Sequence, residues 1–336
     1  MGGPGRLAPG PPPERGGAAG PGWAGAGVRG AGVAVRRTLP ALSPAQLATL
    51  LPPAWAGQPV TWLGEGTDHR VYALGEEHVL RCPRWAGGGE ALHQEAALLA
   101  ALAPLLPLPV PEVLDWVEVG PLCPEGGAVA RRLPGLPALG RALPQPVEVG
   151  RVLGRLLTAL HHVPAAAVTL ATDHDPGGQD WQDAALADLS MAEAAGLLPE
   201  AARWRAVVQA PPPLAVPLVP LHGDFAAEHV LLDAAGLPCG VLDWADAALG
   251  DPARDWAGLL HWAQPGLLAA ALAVAPQSPA LVRRAAWYAT CRALGDVAFG
   301  LTHHKPAYIQ AGQRALRWLA GRSARETGTP TFLPPL

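Results

Sequence analysis

His222-Gly223-Asp224 is followed five residues later by His229, and about twenty residues after Asp224 comes Asp243. Between them lie the apolar run Val230-Leu231-Leu232, a turn, and a second apolar run that ends at Val241-Leu242. A carboxylate beside a glycine can orient a hydroxyl and accept its proton. A second carboxylate behind an apolar strand, with an imidazole nearby, can hold a divalent cation on nucleotide phosphates. Each residue alone has an ordinary explanation, since aspartates commonly cap turns and helices. Together, at this spacing, they have the layout of a phosphoryl-transfer site with Asp224 as the catalytic residue and His229 and Asp243 at the metal.

Those residues need a scaffold. Ser43-Pro44 is a helix start, with serine at the N-cap and proline at the first helical position. Val60–Leu63, Val71–Leu74 and His78–Arg81 alternate with turns and read as three strands, and Val113–Val119 and Ala128–Leu133 as two more. A helix over Gly89–Leu102 completes a small β-rich lobe. Beyond Pro144 the apolar spacing is helical over Val147–Leu160, Trp181–Leu197, Ala201–Gln209, Asp255–Ala263, Pro279–Leu301 and Ala307–Arg322. The prediction is an α+β bilobal chain: an N-lobe over 38–133, a helical C-lobe over 134–325 that carries the catalytic and metal loops, and a ligand cleft between them. Residues 1–37 are rich in Gly, Pro, Ala and Arg, bury too little apolar surface to offset chain entropy, and are expected to be a disordered extension, with 326–336 a tail.

Composition narrows the function. The chain has 336 residues, half of them apolar, and a formal net charge of −4. No basic stripe points to nucleic acid. Cys82, Cys123, Cys239 and Cys291 are scattered without zinc-site or disulfide-framework spacing, so a reducing cytoplasm is the simplest setting. The most apolar stretch, Gly266–Pro276, is about half the ~20 residues a membrane helix needs and is expected to be a buried helix.

The turn Gly64-Glu65-Gly66-Thr67-Asp68-His69 sits between two strands, where the backbone N–H groups of Gly64, Gly66 and Thr67 could cradle phosphates. Glycine-rich β-turns are common, and the turn gains weight only from its place in this order.

With these elements in sequence, the chain resembles the aminoglycoside phosphotransferase family, a branch of the protein-kinase-like fold. The resemblance rests on His222-Gly223-Asp224 with His229, on Val241-Leu242-Asp243, and on the tail Gly250-Asp251-Pro252 with Asp255. It runs from about Leu42 to Arg322. It implies ATP or GTP as co-substrate, Mg²⁺ as metal, and a small-molecule hydroxyl as acceptor, in a monomer or weak dimer. Arg81 then stands where such folds carry a lysine, as the cation for the α/β-phosphates, with Glu95 its partner; a solvent-exposed Arg–Glu pair is the alternative. Arg84 is a second candidate for the same task. Ala130 belongs to the hinge, whose backbone can bond a purine edge. His222 and Asp255 are expected to support the catalytic loop, while Asp246 and Asp251 either meet substrate or cap turns. His229 replaces the family's usual metal-binding asparagine and is similar to the macrolide and 2″-aminoglycoside branches.

An aminoglycoside or macrolide antibiotic is the implied acceptor. A metabolic kinase of the same fold, acting on choline, homoserine, a sugar or a fructosamine, and a nucleotide-binding pseudokinase are the alternatives. A polycationic acceptor needs an acidic site, and Asp173, Asp175, Asp180, Asp183 and Asp188 either line it or form a solvated helix face. Trp181, Trp204, Trp244, Trp256, Trp262, Trp287 and Trp318 are expected mostly in the core.

Overall fold

In the computed structural model, residues 37–214 and 217–326 are described. The extension over 1–37 and the tail over 326–336 lie outside the described residues, except for Arg37 and Glu326.

Five antiparallel strands form the N-lobe: β1 (Val60–Glu65), β2 (His69–Leu74), β3 (His78–Pro83), β4 (Val113–Val117) and β5 (Gly127–Arg131), in the order β1-β2-β3-β5-β4. Alternation along β2 and β3 puts Tyr72, Leu74 and Leu80 into one small core with Val117 and Val129. Helix α1 (Pro44–Ala48) opens with a capping box, in which Gln46 N–H donates to Ser43 Oγ and the Gln46 side chain accepts from Ser43 N–H. It adds the buried Leu47 to that core. Helix α2 (Gly88–Leu102) crosses the sheet and sends Leu98, Leu99 and Leu102 into the larger core of the C-lobe, coupling the two lobes.

Among the described residues, seven α-helices build the C-lobe: α3 (Pro146–His161), α4 (Gln179–Ala194), α5 (Ala201–Val208), α6 (Ala253–His261), α7 (Leu267–Val274), α8 (Pro279–Thr302) and α9 (Pro306–Glu326). Helix α8 is buried along most of its length and packs against α4, α6 and α9. Its Ala285, Ala289 and Ala293 let those neighbours approach closely. The tryptophans at 181, 204, 244, 256, 262 and 287 are all buried in this core, and Trp318 packs against it. Helix α7 is the short buried helix expected over 266–276, and no helix among the described residues is long and apolar enough to cross a membrane.

Short strands interrupt the helices beneath the cleft: β6 (Leu136–Pro137), β8 (Val230–Leu232) and β9 (Pro238–Val241) in one sheet, and β7 (Val219–Leu221) with β10 (Ala248–Gly250) in another. Strands of two or three residues show no periodicity, which is why β6, β7 and β10 are unmarked in the sequence. Helix α6 starts two residues before its expected position, because Asp251 Oδ1 accepts the N–H of Ala253 at 3.0 Å and caps it there.

Candidate active site

A cavity of about 330 Å³ lies between the lobes. Gly64, Gly66, Thr67, Asp68 and Arg81 line it from above, Ala130 to Leu133 from the hinge, and Glu228, His229, Asp243 and Asp246 from below. Of the residues singled out in the sequence, Gly64, Gly66, Thr67, Arg81, Ala130, His229 and Asp243 therefore share one cavity. Glu95 backs Arg81, and Asp224, His222 and Asp255 form the layer beneath.

The loop that carries Asp224 is built from the backbone outward. Gly223 has φ +83°, and a Cβ there would collide with the carbonyl of Asp246, so only glycine fits. The buried Asp255 carboxylate accepts N–H bonds from His222 (3.1 Å) and Gly223 (3.0 Å), and His161 Nε2 of α3 lies 2.9 Å from its Oδ2. Burial acts to raise Asp255, but the His161 contact and His222 outweigh it and hold it below the usual carboxylate range. The His222 ring spans two loops: Nε2 lies 2.9 Å from the Leu242 carbonyl, and Nδ1 accepts the Asp224 N–H at 3.3 Å. Burial pushes His222 down to about 4, so it is a neutral ring at physiological pH.

Asp224 is only 4% exposed and does not itself line the cavity. Its Oδ1 accepts a 2.6 Å bond from Arg292 Nη1 of α8, while its buried Oδ2 makes no hydrogen bond within the protein and lies 3.7 Å from His229 Nδ1. Burial would raise Asp224; Arg292 first, then His229, hold it low.

His229 Nδ1 lies 2.8 Å from the Asp224 carbonyl, which directs Nε2 toward Asp243 Oδ2 at 3.5 Å. Nε2 is buried and without a hydrogen bond in the protein. Asp243 has φ +61°, a left-handed conformation that costs a non-glycine residue about 1–3 kcal/mol and is typical of functional positions. Burial raises Asp243, with Glu95 and Asp224 adding to it, and burial with Asp224 and Asp243 pushes Asp246 up to about 8. This is a local excess of negative charge around an orphaned imidazole nitrogen, a donor set that fits a divalent cation. No group of three or more His, Cys, Asp or Glu able to hold a metal occurs among the described residues. Nucleotide phosphates would complete the shell, as is usual for Mg²⁺.

Above the cleft, Arg81 donates to both Glu95 oxygens, at 3.1 and 2.8 Å, in a bidentate pair that is almost fully buried. This is not a solvent-exposed pair. Arg84 takes a different role from Arg81: its guanidinium donates to the Gly66 and Thr67 carbonyls, and Trp85 Nε1 donates to Thr67 O at 2.7 Å. These bonds turn the loop carbonyls away and pin the glycine-rich turn.

A profile described as the phosphotransferase enzyme family matches residues 60–288. The chain belongs to that family. It is 30% identical over 215 residues to viomycin phosphotransferase of Streptomyces vinaceus, which covers 58% of this chain and 70% of the relative. Among solved structures it is similar to a GDP complex of aminoglycoside 2'-phosphotransferase-IIIa (TM-score 0.66, 17% identity, 83% of this chain and 99% of that one). It is also similar to macrolide 2'-phosphotransferase MphH from Brachybacterium faecium (TM-score 0.54, 26% identity, 80% and 96%). The bilobal α+β fold and the phosphotransferase class read from the sequence agree with these findings.

Several parts of the candidate site carry no motif. Arg292, Glu228 and His161 all touch the Asp224 loop or its support. Their one signal is a charged or polar side chain inside a helix or segment whose neighbours are apolar, a position that demands a partner once buried. Conversely, the acidic stretch is largely committed elsewhere. Asp173 accepts from Arg254 Nη1 at 2.8 Å, Asp175 accepts the N–H groups of Gly178, Gln179 and Asp180 at the start of α4, and Asp180 lies 2.8 Å from His174. Asp183 accepts from Gln179, and none of the five lines the cavity. Asp251 caps α6 and pairs with Arg284. The site's acidity comes instead from Asp68, Glu228, Asp243 and Asp246.

Proposed function

We propose that this phosphotransferase moves the γ-phosphoryl group of ATP or GTP to a hydroxyl of an aminoglycoside- or macrolide-like antibiotic. The observation that carries this is the vertical order within one cleft: the pinned glycine-rich turn and the Arg81–Glu95 pair above, His229 and Asp243 at the floor, and the unbonded Asp224 Oδ2 directly behind His229. The names of the similar proteins support the antibiotic class of acceptor. The acidic floor suits a cationic one.

In this reading the loop amides and Arg81 hold the phosphates, and Glu95 fixes the Arg81 fork. Asp243 and His229 would hold Mg²⁺, which would neutralise phosphate charge. Asp224 Oδ2 accepts the acceptor's hydroxyl proton as the new O–P bond forms and the bond to the β-phosphate oxygen breaks. His222 and Asp255 keep the loop in place. Positioning and fixed charge provide the catalysis, with no covalent enzyme intermediate.

The test is turnover of ATP and of GTP, with Mg²⁺, against kanamycin, gentamicin, streptomycin, viomycin, a macrolide, choline, homoserine, a sugar and a fructosamine. Phosphorylation of an antibiotic supports the reading. Turnover confined to choline, homoserine, the sugar or the fructosamine replaces it with a metabolic kinase. Nucleotide binding without any turnover makes the chain a pseudokinase.

A further inference from the structure

Arg292 lies in the middle of α8, 68 residues from Asp224 in sequence, on a helix that no catalytic motif includes. Its chain neighbours are apolar: Cys291, Ala293 and Leu294 are buried, and the whole residue is 4% exposed. A guanidinium is costly to bury, and this one is compensated by an unusual number of carboxylates. Nη1 donates to Asp224 Oδ1 at 2.6 Å and Nη2 to Glu228 Oε1 at 3.2 Å. Asp296, one turn further along α8, adds its field and is itself paired with His261 of α6 at 3.1 Å. Burial works against the charge on Arg292, but Asp224, Glu228 and Asp296 outweigh it, so the guanidinium stays protonated.

The two arms reach carboxylates that flank the catalytic loop, one at its start and one just before His229. A planar fork can hold two such groups at a set distance and angle; a lysine ammonium, a point charge on a flexible stem, cannot. One oxygen of Asp224 is thereby occupied and the other, which faces His229, is left over.

We infer that Arg292 is the positioning residue of the proposed phosphoryl-transfer site: its fork clamps Asp224 Oδ1 and Glu228 together, and so fixes Asp224 Oδ2 on the side that faces His229 of the cavity wall. This rests on the function proposed above. It assigns to α8 a part in the chemistry, where a purely structural pair would only hold α8 against the loop.

The test compares the wild type with Arg292→Lys, Arg292→Ala and Glu228→Gln in the full chain. The measurements are thermal midpoint, Mg²⁺-nucleotide affinity, and kcat and KM on the acceptor that turns over best in the panel above. Arg292→Lys is expected to stay folded, to bind nucleotide within about twofold of the wild type, and to lose about 10–100-fold in kcat, since a misplacement of about 1 Å costs that much. Millimolar guanidinium is expected to restore part of the kcat of Arg292→Ala and leave the wild type unchanged. Glu228→Gln leaves the Arg292–Asp224 bond in place and is expected to lose less kcat than Arg292→Lys. If Arg292→Ala does not fold, the Lys and Gln variants carry the same test. A folded Arg292→Lys with wild-type kcat, or losses that only track the folded fraction with no guanidinium rescue, would overturn the assignment. A wild type with no turnover on any acceptor removes the function as well, which separates the two failures.

Discussion

His161 Nε2 of α3 lies 2.9 Å from Asp255 Oδ2, the same carboxylate that accepts the amide hydrogens of His222 and Gly223. One buried aspartate thus ties a C-lobe helix to the backbone of the loop that carries Asp224.

Replacing His161 with leucine removes that bond and leaves the buried carboxylate short of a partner, at a cost of about 1.5–3 kcal/mol. The pH dependence has a definite sign. Asp255 is held below its ordinary value, so its contribution is complete above the unfolded-state value of about 4 and is lost as pH falls through the lower folded value. Urea unfolding of both proteins should show a full stability gap at pH 7 that narrows below about pH 4. An equal gap at pH 3 and pH 7 would count against the role given to this pair.

Asp224→Asn keeps the size of the side chain and its bond to Arg292 but removes the carboxylate proposed as the proton acceptor. The expected loss in kcat is about 10²–10⁴-fold, with nucleotide affinity nearly unchanged. Steady-state kinetics with isothermal titration of nucleotide checks this. Equal losses in kcat and nucleotide binding would argue that Asp224 serves the nucleotide instead.

Arg81 and Glu95 form a buried bidentate pair, so each single variant leaves an unpaired charge. Arg81→Ala should raise nucleotide KM and destabilise the N-lobe by about 3–5 kcal/mol, and Glu95→Gln should do part of both. The double variant should cost less than the sum, which a double-mutant cycle in stability and KM measures. An additive cycle would mean that the two residues act separately.

Gly258 of α6 faces the Phe225 carbonyl so closely that a Cβ would clash with it. Gly258→Ala must push α6 away from the Asp224 loop. The expected result is a loss of about 1–3 kcal/mol, as for overpacking, with kcat reduced more than nucleotide affinity. Wild-type kcat in this variant would show that the loop tolerates the shift.

The lobes were legible in the sequence because their elements are long and periodic. The N-lobe strands, α2 and α8 fall within a few residues of their expected bounds. The strands β6, β7 and β10 were not, since two or three residues carry no period. Arg84 shows the same limit at the site. As a cation near a phosphate loop it resembled Arg81, and only the packing of Trp85 and the turn assigns it to the loop carbonyls instead. The acidic residues from Asp173 to Asp183 can be read as a cleft lining or as a solvated helix face, and Arg254, nearby backbone amides, His174 and Gln179 hold them outside the cavity.

What the sequence alone determined is the set of groups fixed by short spacing: the Gly223 turn before Asp224, His229 five residues on, and Asp243 behind its apolar strand. Contiguous residues specify such geometry because turns and strands are made by neighbours. The tertiary structure alone decided which oxygen of Asp224 is left unbonded, that Asp255 leans on His161, and that Arg292 reaches the site. Those relations join residues 68 and 94 positions apart, and they depend on how α3 and α8 pack, a property of the assembled core that no local pattern records.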